Sequence, residues 1–124
     1  MLKKTRIILI LISFLFLMPA LADSSTLIGT WVATRGDGAT TTWTFNADGT
    51  MSADFDGMEG FKGTYKLNTD TTPFQLDVIA EGETMETILE FSEDDAFRLE
   101  IGTANPGEPR PTEFSDMAAT FKRQ

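Results

Sequence analysis

The sequence predicts an all-β domain: a small antiparallel up-and-down β-barrel of about eight strands, with a two-sheet β-sandwich as the alternative. Turn residues recur at short intervals, and the segments between them alternate apolar and polar side chains. No segment keeps apolar residues at a sustained helical period. Tight connections force antiparallel neighbours, and alternation suits a sheet with one dry face and one wet face. Eight strands meandering in order can close on themselves and lose their exposed edges.

The strands follow in order. Residues 27–34 form the first, ended by Gly36, Asp37 and Gly38. Residues 40–45 put Trp43 and Phe45 on one face and Thr42 and Thr44 on the other. Asn46, Ala47, Asp48 and Gly49 make a four-residue hairpin turn, because Asn and Asp bond their own backbone and Gly accepts a positive φ. Residues 50–55 alternate Met51, Ala53 and Phe55 against Ser52 and Asp54. A loop is expected over 56–60. Residues 61–67 carry Phe61, Gly63, Tyr65 and Leu67 on one face. After turn residues 68–73, residues 74–80 set Phe74, Leu76, Val78 and Ala80 against Gln75, Asp77 and Ile79. Glu81, Gly82 and Glu83 separate this strand from 84–91, where Met85, Thr87, Leu89 and Phe91 oppose Glu86, Ile88 and Glu90. An acidic turn at 92–95 leads to 96–102, with Phe97, Leu99 and Ile101 inward and Arg98 and Glu100 outward. A long loop over 103–113 carries three prolines, residues 114–117 suit a helical turn, and 118–123 is the last strand.

The domain is expected to begin at Asp23. Lys3, Lys4 and Arg6 precede an apolar run from Ile7 to Met18 broken only by Ser13. Pro19 ends the run and Ala20-Leu21-Ala22 supplies small residues before a cut, which reads as a signal peptide over residues 1–22. The run is short for a bilayer span, which takes roughly 20 residues. Residues 23–124 are then one exported domain, periplasmic or extracellular, soluble and without stable membrane insertion after cleavage. The 124-residue chain has 10 basic and 19 acidic residues, a net charge of −9. The three basic residues of the leader account for the difference from the −12 of residues 23–124. Such a surface repels nucleic acid and anionic lipid and favours a cationic partner such as a basic protein. The chain has no cysteine, so the domain must hold together by packing, and the absence of disulfides points to a bacterial source.

The composition excludes several chemistries. With no histidine and no cysteine, Ser-His and Cys-His nucleophiles cannot be built, and the usual zinc sites are absent. No Gly-rich phosphate loop precedes a helix. No cofactor or metal is expected. Paired carboxylates can hydrolyse glycosides, but Asp54, Asp56 and Glu59, and Glu81, Glu83 and Glu86, fall at turns or on wet faces and read as solvated charge. The turn at Asn46 lacks the acid that opens a calcium loop, and Phe55 stands at the closing position. The protein is therefore not expected to be an enzyme. Asp77, on a polar strand face, and Arg110, between Pro109 and Pro111, could form a bidentate pair that pins the long loop to the barrel.

Gly29-Thr30-Trp31, the hairpin from Thr44 to Thr50 with Asn46-Ala47-Asp48-Gly49, Gly63-Thr64-Tyr65-Lys66-Leu67, Pro73 through Asp77, and Arg110-Pro111-Thr112-Glu113-Phe114 follow in order along the chain. Together they resemble a lipocalin-like family of small exported bacterial proteins with no assigned activity. The resemblance implies a barrel with Trp31 near its closed end, covered by a basic residue from late in the chain. Arg123 matches that role by position, and Arg110 is the other candidate. It also implies a small apolar ligand at the open end, for which Trp43, Phe45, Tyr65, Phe74 and Phe97 are candidate lining residues. The chain is shorter than true lipocalins. With strands this short and aromatics this bulky, the interior is expected to be largely filled. A packed interaction or structural domain, working through its loops and acidic surface, is the alternative function.

Overall fold

The computed structural model describes residues 23–34 and 37–124. The expected leader over 1–22, and Gly36 of the first turn, lie outside the described residues. Eight strands follow one another: β1 (Gly29–Thr34), β2 (Thr40–Phe45), β3 (Thr50–Phe55), β4 (Met58–Asn68), β5 (Phe74–Ala80), β6 (Glu83–Glu93), β7 (Ala96–Glu100) and β8 (Ala118–Arg123). Each pairs antiparallel with the next, and β8 returns to β1, so the sheet closes as a barrel rather than splitting into a sandwich. Closure leaves no exposed terminal edge.

Several boundaries differ from the sequence reading. The loop expected over 56–60 is a two-residue turn, Asp56 and Gly57, with φ of 52° and 81°. Both values are left-handed, as a tight hairpin whose twist matches its strands requires. Residues 58–60 instead extend β4. The register slips between Ala53 and Asp54, leaving Gly60 as the extra residue of a bulge. The ring of Phe55 folds over that glycine, and a Cβ there would stand 2.3 Å from it. The β5–β6 connection is likewise a two-residue turn, Glu81 and Gly82, with φ of 54° and 79°, so Glu83 belongs to β6. The first strand starts at Gly29; before it Ser24–Leu27 form a 3₁₀ turn capped by the Asp23 carboxylate, which accepts from the Ser25 amide. Residues 114–117 form no helix.

Register places alternate side chains inside the barrel: Trp31 opposite Trp43, Leu76 opposite Thr87, and Phe97 opposite Phe121. The two halves of the interior differ. At one end Trp31, Phe45, Leu89, Phe97 and Phe121 are fully buried, with Leu27 of the 3₁₀ turn plugging the end. Trp31 and Phe97 meet edge to face at 4.7 Å, and Phe97 stacks on Phe121 at 5.1 Å. Toward the other end the inward positions carry Ala33, Ala53, Val78 and Ala80. Large rings fill the first half and small side chains leave space in the second.

The segment 101–117 lies against the outside of the barrel. Glu100, expected on the wet face, is completely buried beneath it; Ile88 of β6 and Ala104 of the segment itself are buried as well. The Glu100 carboxylate accepts four hydrogen bonds, from the amide and hydroxyl of both Thr103 and Ser115, at 2.6–3.1 Å. Burial pushes this carboxyl up, but those four donors outweigh it and hold it below the usual range. The hydroxyl of Thr87 donates to the Glu100 carbonyl, where β6 runs on beyond its pairing with β7.

Candidate functional site: the open end of the barrel

The two ends have different chemistry. At the closed end the indole N–H of Trp31 donates to the Leu27 carbonyl at 2.9 Å. The Arg123 guanidinium lies 4.2 Å from the centre of that indole. It also donates to the carbonyls of Thr26, Ile28 and Asp94 and to the Asp95 carboxylate. One side chain thus joins the 3₁₀ turn, the β6–β7 turn and β8. Arg110 is elsewhere: in place of the expected bidentate pair its guanidinium makes one bond to Asp77 at 2.6 Å and donates its other amine to the carbonyls of Leu76 and Thr87. It holds segment 101–117 against β5 and β6.

At the other end Phe55 at the tip of β3, Glu81 of the β5–β6 turn, and Ile101 and Pro106 of segment 101–117 border an open cavity of about 350 Å³. Its wall is built from β2 (Thr41, Trp43), β3 and β4 (Phe55, Phe61), β5 (Val78, Ala80) and β6 (Met85), with Ile101 and Pro106 beyond β7. The largely filled interior expected from the sequence is thus corrected: the ring-rich half is filled, and the alanine-rich half is not. Trp43 spends its N–H on the Thr41 hydroxyl at 2.9 Å, and that hydroxyl donates to the Asp54 carbonyl at 3.3 Å. The Trp43 indole N–H and the Thr41 hydroxyl of the wall are therefore satisfied internally. Glu81 and Glu83, at the β5–β6 turn, complete the lining.

Of the five candidate lining residues, Trp43 alone faces this cavity. Phe45 and Phe97 are buried in the filled half. Tyr65 packs edge to face on Phe45 at 4.9 Å, and its hydroxyl donates to the Asn46 carbonyl at 2.8 Å, bracing the β2–β3 turn. Burial, helped by the nearby Asp48 carboxylate, pushes its phenol up. Phe74 lies at the closed end against Phe91. Alternation identified all five as inward; it could not say at which end of the barrel each one sits. Phe55, Phe61, Met85, Glu81 and Glu83 were not singled out as ligand contacts. The signal for the glutamates was present in the turn sequence Glu-Gly-Glu, since Glu83 stands opposite Ala80 in the register once the turn is two residues long.

The open end also carries three exposed apolar side chains: Phe55 (46%), Met58 (73%) and Met117 (59%). Among the described residues, no group of three or more carboxylates comes together as a metal site, and no helix is long and apolar enough to cross a membrane. Asp54 and Glu59 face each other across β3 and β4, while Asp56 accepts from the Thr40 amide at 2.8 Å and so ties the β3–β4 turn to the start of β2. No model of a known protein family matches the sequence, and a search of curated proteins finds no match.

Proposed function

We propose that this protein is an exported, lipocalin-like binding protein that takes a small apolar ligand into the open end of its barrel, and that it is not an enzyme. The observation that carries the reading is the cavity of about 350 Å³ beside Trp43, within the range that small-molecule sites occupy. Its wall is aromatic and aliphatic, and its hydroxyl and indole groups are already paired, so a ligand would be held by apolar burial. Such burial contributes roughly 25 cal/mol per Å². Chemistry that needs a histidine or cysteine is unavailable to this chain.

Titration with the neutral fluorophore N-phenyl-1-naphthylamine tests the reading. Saturable one-to-one binding, with energy transfer from tryptophan, is expected. Absence of binding by this probe and by a panel of neutral alkanols would overturn it.

The exposed Phe55, Met58 and Met117 around the same end favour a second role as a docking face for another protein. Capture of a partner that is lost in Met58→Ser/Met117→Ser would support that role.

A further inference from the structure

We infer that the open-end cavity selects a hydrophobic cation: an apolar body carrying one positive group, such as an alkyl or aryl ammonium. This inference rests on the binding role proposed above and specifies the ligand's charge. Two features of the same cavity carry it.

The first is the charge at its mouth. Glu81 and Glu83, both exposed, border the mouth of the cavity, and Glu83 stands opposite Ala80 in the register. Neither carboxylate has an ion-pair or side-chain hydrogen-bond partner among the described residues, and no lysine or arginine shares the lining. The other β6 acid nearest in sequence, Glu86, lies on the outward face opposite Asp77. Among the described residues, a fatty acid carboxylate at this rim would meet like charge and no lysine or arginine of the lining. A cationic head group would meet two unpaired carboxylates there.

The second feature is the wall. Trp43, Phe55 and Phe61 bring three aromatic rings to the cavity. Trp43 and Phe61 meet edge to face at 6.0 Å, and Phe55 and Phe61 lie 6.3 Å apart. Aromatic faces attract cations and repel anions. The carboxylates and the rings thus favour the same ligand charge from different sides of the site, and the net negative charge of the chain steers cations toward it.

The test compares three ligands of one chain length: n-octyltrimethylammonium, n-octanol and n-octanoate, each displacing N-phenyl-1-naphthylamine from the full domain. The expected order is cation, then alcohol, then carboxylate, with the cation about fivefold tighter than the alcohol at low salt. Added salt should shrink that margin. In E81Q/E83Q the margin should vanish, and a wild-type circular dichroism spectrum and unfolding temperature show that the variant is folded. Alcohol binding as tightly as the cation would overturn the inference and leave the cavity reading intact. An unchanged margin in the double variant would overturn the assignment to Glu81 and Glu83. If none of the probes binds, both readings fall.

Discussion

Arg123 covers the indole of Trp31 at 4.2 Å, and Gly29 makes the space for it. Gly29 has φ of 137°, and a Cβ there would stand 2.7 Å from the Arg123 guanidinium. The spacing Gly-x-Trp therefore has a local physical cause: the glycine admits the cation that the tryptophan two residues later holds beneath it. The cation also bonds three carbonyls and the Asp95 carboxylate, so the closed end is sealed by one side chain from the last strand.

Arg123→Ala should destabilise the domain by about 2–3 kcal/mol, from the lost cation–π contact and charged hydrogen bonds of a partly exposed group. Urea unfolding measures it. Arg123→Lys should recover less than half, because an ammonium cannot reproduce the guanidinium fork. Gly29→Ala should cost about 1–3 kcal/mol, and less in an Arg123→Ala background, where the clash is gone. Strict additivity would separate the two residues.

Glu100 gives the acid limb of stability a specific source. Its folded pKa lies below the unfolded value, so the stabilisation is fully present above the unfolded carboxylate range. It is lost as pH falls below the reference value of 4.5 and through the folded pKa. Asp23 and Asp48, held down chiefly by hydrogen bonds from Ser25 and Thr50 respectively, act with the same sign. Segment 101–117 should therefore loosen in acid, seen as faster amide exchange at Thr103 and Ser115. Glu100→Gln should cost about 2–4 kcal/mol near neutrality, because four donors lose a charged acceptor, and should flatten the acid limb. A variant that keeps the wild-type pH slope would contradict this assignment.

Arg110 predicts a different outcome from the same segment. Arg110→Ala removes the ion pair with Asp77 and two carbonyl contacts. A loss of about 1–3 kcal/mol is expected, with new protease sensitivity in the 103–113 loop. Unchanged stability and unchanged cleavage would remove the pinning role.

Ala80 lies on the cavity wall near the mouth. Ala80→Phe should fill part of the space, reduce ligand binding at least tenfold, and change stability by less than about 1.5 kcal/mol, because the added ring enters a void rather than a packed core. Binding measured by fluorophore titration and stability by thermal unfolding separate the two effects.

The barrel was legible because period-two alternation and turn residues act locally. Trp43, Phe45 and Phe97 had to point inward whatever the rest of the chain did. The packing of segment 101–117 was not legible: Arg98 and Glu100 carry the same outward pattern, yet Arg98 is exposed on the Phe114 ring at 4.0 Å while Glu100 is sealed. What separates them is a long-range contact with Thr103 and Ser115. The cavity escaped for a related reason. Counting bulky aromatics says how much volume the interior holds, whereas the cavity depends on placement: Trp31, Phe97 and Phe121 pack together at one end, and at the other Ala33, Ala53 and Ala80 leave space beside Trp43, Phe55 and Phe61. For the Arg123–Trp31 arrangement the sequence offers only the family resemblance, because the contact joins the two ends of the chain.

Native mass spectrometry of the protein, purified gently from its own source, tests the binding role most directly. The account predicts a reproducible added mass of one small apolar cation per chain, lost on denaturation and diminished in Ala80→Phe. A bare mass for the wild-type protein, unchanged after incubation with n-octyltrimethylammonium and with n-octanol, would contradict it.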